Sequence, residues 1–149
     1  MKRIHSNTAE STSVANSTYR DRIDLLRSRI SLLAGKDKLL LTMHLENGNS
    51  FRQIAQLVGV NEASIGRRIR KIMRRLIDGE YITCLRNREK FTEAELAIAK
   101  DYFLQGESIR KIAIKRELTY YSIRKTIKKI QPIVTTAEKN NLQRKQKAT

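Results

Sequence analysis

A chain of 149 residues has room for one domain of average size or two very small ones. Lys and Arg outnumber Asp and Glu by 31 to 15, and a compact chain carrying +16 repels itself unless a polyanion, nucleic acid or an anionic membrane, offsets the excess. No apolar run approaches a membrane span, the single Cys84 excludes an internal disulfide, and two isolated histidines (His5, His44) with one Cys make no zinc site. The expectation is a chain without metal or cofactor, in a reducing cytoplasm and associated with the nucleoid.

Residues 1–18 are polar, rich in Ser, Thr and Asn, and lack the apolar core of a secretory signal; they read as a disordered arm. Ile23, Leu26, Ile30 and Leu33 recur at the helical period, on a helix expected to end at Gly35. Asp37 is placed to cap a helix over 38–46, which the Asn47-Gly48-Asn49 turn ends. Ser50-Phe51-Arg52-Gln53 has capping-box spacing and opens a short helix to Val58. Gly59-Val60 turns the chain, and Asn61 caps a long helix over 62–78.

Residues 79–91 then read as a linker, in which 81–85 have the β-branched and aromatic character of a short strand or wing. A second capping box, Thr92-Glu93-Ala94-Glu95, opens a helix to Leu104. Gln105-Gly106-Glu107 turns the chain, Ser108 caps a short helix, and Thr119 caps a last helix expected to end before Pro132. Residues 135–149 form a disordered basic tail.

This grammar occurs twice. Aligned without a gap at a spacing of 58, residues 48–72 and 106–130 agree at ten positions: glycines 48/106, serines 50/108 and 64/122, arginines 52/110, isoleucines 54/112, 65/123, 69/127 and 72/130, alanines 55/113, and lysines 71/129. A short helix, a tight turn and a longer basic helix are the parts of a DNA-binding helix-turn-helix. Ala55 and Ala113 are small enough for two helices to cross, Gly59 permits positive φ, and the isoleucine row anchors the second helix. The fold class predicted is all-α, with two small three- to four-helix, homeodomain-like helix-turn-helix units in tandem at 19–78 and 92–134.

With Ile65 inward, a turn of 100° per residue sends Ala63, Gly66, Arg67, Arg70 and Arg74 outward, with Arg68 and Lys71 on the flanks. The predicted DNA-binding set of the first unit is these residues with Glu62, Ser64 and Arg75. In the second unit it is Tyr120, Tyr121, Ser122, Arg124, Lys125, Lys128 and Lys129. Arg67 and Arg70 are the expected guanine contacts, through the paired O6 and N7 acceptors. Lys71, Arg74, Arg75, Lys128 and Lys129 are expected on phosphates. Glu117 stands where the first unit has its turn glycine, so the second turn needs a left-handed non-glycine residue.

Residues 38–78 resemble the C-terminal DNA-binding domain, region 4, of bacterial RNA polymerase sigma factors. The likeness lies in Leu39-Leu40-Leu41, Gly48, Ser50-Phe51-Arg52-Gln53-Ile54-Ala55, Gly59-Val60, Ser64-Ile65 and Arg67-Arg68-Ile69-Arg70-Lys71, and with 19–33 it covers roughly 40% of the chain. It implies that 62–71 read a promoter element in the major groove and that the domain touches RNA polymerase. Residues 1–18 hold nothing like the upstream sigma domain that binds the polymerase clamp, and the second unit is atypical, so a sigma-like transcription regulator fits better than an autonomous sigma factor.

The partner expected is therefore double-stranded DNA, read by two modules on one chain, with RNA polymerase as a second partner and no membrane. A 13-residue linker extends to at most about 43 Å, enough to bridge major-groove turns about 34 Å apart, and tandem copies suggest a direct repeat. The competing expectations are the DNA-targeting part of a transposase or recombinase, a polymerase adaptor and, more weakly, RNA binding. No nucleophile stands beside a base and no acidic spacing suggests a nuclease triad, so no catalytic residue is assigned. The Ile23–Leu33 stripe is expected to pack on the first unit, leaving a monomer or weak dimer.

Overall fold

The computed structural model describes residues 2–147, with side chains from Asn16 to Lys147, and among these residues all regular structure is helical. Met1, Ala148 and Thr149, the ends of the expected arm and tail, lie outside the described residues. The chain divides into two compact units, Met1–Ile69 and Arg70–Thr149.

In the first unit, helix α1 (Lys2–Arg29) passes into a 3₁₀ turn, Ile30–Leu32. Leu26, Ile30 and Leu33 are buried, so the apolar stripe is consumed within the chain. Helix α1 also covers the stretch expected as a disordered arm, where no Gly or Pro interrupts positions 1–34. Helix α2 (Gly35–Leu45) starts earlier than predicted, from Ala34, which makes no side-chain cap. Asp37 is thus inside the helix rather than its cap. The Arg27 guanidinium donates to the Leu45 carbonyl at 3.0 Å and ties α1 to the end of α2. His44 Nδ1 lies 2.9 Å from the Asn49 carbonyl and its ring packs on Phe51, so this histidine shapes the turn into helix α3 (Phe51–Val58).

Helix α4 (Glu62–Asp78) follows, and the division between the units falls within it, after Ile69. In the second unit, residues 79–91 are neither linker nor wing. Helix α5 (Glu80–Arg86) and a 3₁₀ turn, Arg88–Lys90, occupy them, and Tyr81, Ile82, Thr83 and Cys84 are buried. The reach of an extended linker therefore does not apply. An amphipathic run of seven residues is too short to separate helix from strand by period, and packing decides it.

Helix α6 (Glu93–Ala99) opens at the predicted capping box and widens into a π-helical segment, Lys100–Leu104. Helix α7 (Ile109–Arg116) leads into α8 (Tyr120–Lys147), which runs through Pro132 and most of the expected tail. Proline forfeits one helical hydrogen bond, but Pro132 itself is exposed while Ile130 and Val134 beside it are buried, and their packing carries the helix onward. The core of this unit gathers Ile98, Ile112, Ala113, Ile123 and Ile127, with Tyr102, Phe103 and Ile109 at its edge.

Candidate nucleic-acid interface

The repeat in sequence is a repeat in local geometry. Ser50 accepts from the Gln53 N–H while Gln53 accepts from the Ser50 N–H, a complete capping box at the start of α3. Ser108 accepts from the Lys111 N–H at the start of α7, without the reciprocal bond, because lysine has no acceptor to return. Both short helices end on a left-handed residue, Gly59 at φ +77° and Glu117 at φ +55°. The next N–H closes the turn in the same way: Val60 to the Ala55 carbonyl at 3.0 Å, Leu118 to the Ala113 carbonyl at 2.9 Å. Asn61 Oδ1 then caps α4 through the Ala63 N–H, and Thr119 Oγ1 caps α8 through the Ser122 N–H.

These constraints fix which face each long helix buries. Ile65, Ile69, Ile72 and Leu76 are buried along α4, and Ile123, Ile127, Ile130 and Val134 along α8. Arg67, Arg70 and Arg74 are exposed on α4, as are Tyr121, Arg124, Lys125 and Lys128 on α8. Glu62, Ala63, Ser64, Lys71, Tyr120 and Lys129 are also exposed, and Ser122 is half-buried. Each helix thus presents cations on the side opposite its isoleucines, where hydrogen-bond donors can meet a polyanion.

Several predicted residues are placed differently. Gly66 is buried rather than outward; it sits one residue from Ile65, about 100° round the helix, and with no side chain it is covered by its neighbours. Arg68 donates through Nε and Nη2 to Asp37 Oδ1 at 3.2 and 3.1 Å, so its charge is engaged within the first unit. Lys129 makes the analogous tie in the second, 2.9 Å from Glu95. The Thr92 N–H, which donates to its side chain, and then Lys129 hold the Glu95 carboxyl below its ordinary pKa. Arg67 bonds Ser64 on its own helix, at 3.3 Å.

Arg75 is half-buried, in an open groove that Lys71 and Arg74 share with Asp78, Glu80 and Glu107. A methyl group on Gly106 would come within 3.0 Å of Arg75 Nη1. With Glu138, four acids face these three bases along the groove. Burial, then Glu80 and Asp78, push the Glu138 carboxyl at its rim above its usual value.

Two residues escaped the sequence prediction. Arg52 and Arg110 are exposed at the second position of α3 and α7. A cation there opposes the helix dipole, which favours negative charge at that end, yet both copies carry one. The signal in the sequence is their identity in the repeat, away from the long helices.

The remaining chemistry is sparse. Burial, with Glu80 next in weight, raises the Cys84 thiol to about 11, so it stays protonated near neutrality. No cluster of His, Cys, Asp and Glu suited to a metal, and no helix long and apolar enough to cross a membrane, occurs among the described residues. Comparison with protein-family models, with curated proteins and with solved structures finds no match.

Proposed function

We propose that this chain binds duplex DNA in a sequence-specific way through two helix-turn-helix units, α3–α4 and α7–α8, and acts as a transcription regulator rather than an enzyme. The observation that carries the reading is the doubled construction. Two long helices bury the same isoleucine row and turn cations outward, on a chain of net charge +16. In such a unit the exposed start of the second helix enters the major groove. Arg67 and Arg70 on α4, and Lys125 with Arg124 on α8, are the residues assigned to base edges. Lys71 and Lys128 are assigned to phosphates, as is Arg74. Arg68 and Lys129 serve first as internal ties.

The likeness of 38–78 to sigma region 4 supports a promoter element as the target of the first unit. A second reading, RNA polymerase as a protein partner of that unit, draws on Leu57, Val58 and Val60, which lie exposed around its turn. Purified polymerase retained by the chain without DNA, and lost on Leu57→Ser, would favour it.

The test of the main reading is selection from a random duplex pool at about 150 mM salt. Enriched sequences, bound far more weakly by Arg67→Ala/Arg70→Ala, are expected. Binding without enrichment, lost steeply as salt rises, would reduce the chain to electrostatic attachment and end the sequence-specific reading.

A further inference from the structure

The two copies are not equally alike everywhere. The shared buried positions are kept: Ile54/Ile112, Ala55/Ala113, Ile65/Ile123, Ile69/Ile127 and Ile72/Ile130 are identical and buried, and Ser50 and Ser108 accept the same N–H bond, although Glu117 replaces the turn residue Gly59 and Thr119 the cap Asn61. The exposed faces of the long helices diverge. Where α4 has Glu62 and Ala63, α8 has Tyr120 and Tyr121, of which Tyr121 is 72% exposed. Arg67 corresponds to Lys125 and Arg70 to Lys128. At the register of the buried Gly66 the second copy places the exposed Arg124, and at that of Arg74 it places Pro132.

Exposed positions on α3 and α7 change as well, Gln53 to Lys111, Gln56 to Ile114 and Leu57 to Lys115, whereas Arg52/Arg110 stay identical although the helix dipole disfavours a cation there. What sets the long helices apart is the chemistry of the change: the exposed face of α4 carries Arg67 and Arg70, and that of α8 carries Tyr121, Arg124 and lysines.

Resting on the DNA-binding reading, we infer that the chain recognises a composite site of two unlike elements, one per unit, rather than a direct repeat of one. Phosphates are the same in every sequence, so residues that hold them can stay constant, as Arg52 and Arg110 do. Base edges differ, and residues that read them must differ when the targets do. On α4 the planar guanidiniums of Arg67 and Arg70 match the paired acceptors of guanine. On α8 Lys125, at the register of Arg67, is a point charge without that fork. The Tyr121 ring adds an apolar surface suited to a thymine methyl. The element read by α4 is thus guanine-bearing, and the element read by α8 is set by Tyr121 and Arg124.

The experiment is selection from a random duplex pool with three full-length chains: the unchanged chain, a face-swapped variant, and Arg52→Ala/Arg110→Ala. The swapped variant carries Tyr120→Glu, Tyr121→Ala, Arg124→Gly, Lys125→Arg and Lys128→Arg, all at exposed positions, and leaves the core intact; circular dichroism checks its helix content. The unchanged chain is expected to enrich two different motifs on one duplex. The swapped variant should lose the second motif and gain a copy of the first. The arginine variant should select the same motifs as the unchanged chain, bind every duplex more weakly, and show a salt dependence shallower by about two, near one unit per phosphate contact.

A repeated single motif, or only one motif, from the unchanged chain overturns the composite site while leaving specific binding standing. Two motifs that the swap does not alter overturn the residue assignment. No enrichment with any chain overturns the DNA-reading proposal itself, and the composite site with it.

Discussion

At Gly59 the chain leaves α3 with φ +77°, and nothing lies within 4 Å of where a side chain would begin. At Glu117 it leaves α7 with φ +55°, a conformation that strains any residue with a Cβ. The turn bonds are nonetheless the same in both. Unit two compensates just before the strained residue. Arg116 donates to Asp101 at 2.6 Å and to the Ala97 carbonyl at 3.4 Å, and Lys115 lies 3.1 Å from the same carboxylate. Asp101 itself is buried. One geometry is reached by a residue without steric preference, the other by an ion-paired clamp that holds α7 against the segment following α6. What the repeat preserves is a position for the long helix, and different local chemistry can supply it.

The comparison is broken most forcefully at the core positions both units share. Ile54→Ala and Ile112→Ala are each expected to cost about 3 kcal/mol, within the range for buried isoleucine, as read by urea unfolding. Amide hydrogen exchange should show the loss confined to the unit that carries the change. Costs differing by more than about 1 kcal/mol would show that the two seats are not equivalent.

Asp101→Asn tests the clamp. Its partners are partly exposed and can be rehydrated, so the expected loss is about 2 kcal/mol, below that of a fully buried pair. A smaller loss than from Gly59→Ala would assign the turn's stability elsewhere.

The turn residues themselves should move stability in opposite directions. Gly59→Ala meets no clash and is expected to cost about 1 kcal/mol of backbone strain, while Glu117→Gly relieves strain and should stabilise by roughly half that. Two changes of the same sign would contradict the account of the turns.

The smallest effects are electrostatic and confined to the second unit. Glu95 has a lowered folded pKa, so its contribution is complete above the ordinary carboxylate range and disappears as pH falls through the folded value. Glu138 has a raised one, so its ionised form costs stability near neutrality, and that cost disappears on acidification through the folded value. In thermal melts from pH 7 to 3, Glu95→Gln should lower the midpoint at pH 7 and flatten the acid loss. Glu138→Gln should raise stability at pH 7 by roughly a few tenths of a kcal/mol, as for other partly exposed charges, and move the midpoint upward.

The elements legible in the sequence were those with local, directional signals. Ser50 with Gln53, Thr92 with Glu95, Gly59 and the isoleucine rows each announce a cap, a turn or a buried face without reference to distant residues. The segment 79–91 did not, because its helix rests on burying Tyr81, Ile82 and Cys84 and not on any period it could show in seven residues. Pro132 read as a stop because proline lacks a donor, yet the packing of Ile130 and Val134 outweighs one hydrogen bond. Asp37 read as a cap because it precedes an apolar run, whereas its carboxylate is used by Arg68, 31 residues away. Angular position alone places Gly66 outward, but a residue without a side chain is covered by its neighbours and is buried. Of the candidate site, the outward arginines of α4 and the basic face of α8 were readable from period alone, while the internal ties of Arg68 and Lys129 needed coordinates.

The central claim, that the exposed faces of α4 and α8 are the surfaces that meet DNA, is tested most directly by amide NMR of the full chain titrated with a selected duplex. The account predicts the largest shifts at 61–71 and 119–128, with smaller ones at 50–53 and 108–111. Shifts confined to the disfavoured ends of the chain, 2–18 and 135–147, with 61–71 and 119–128 unmoved, would contradict it.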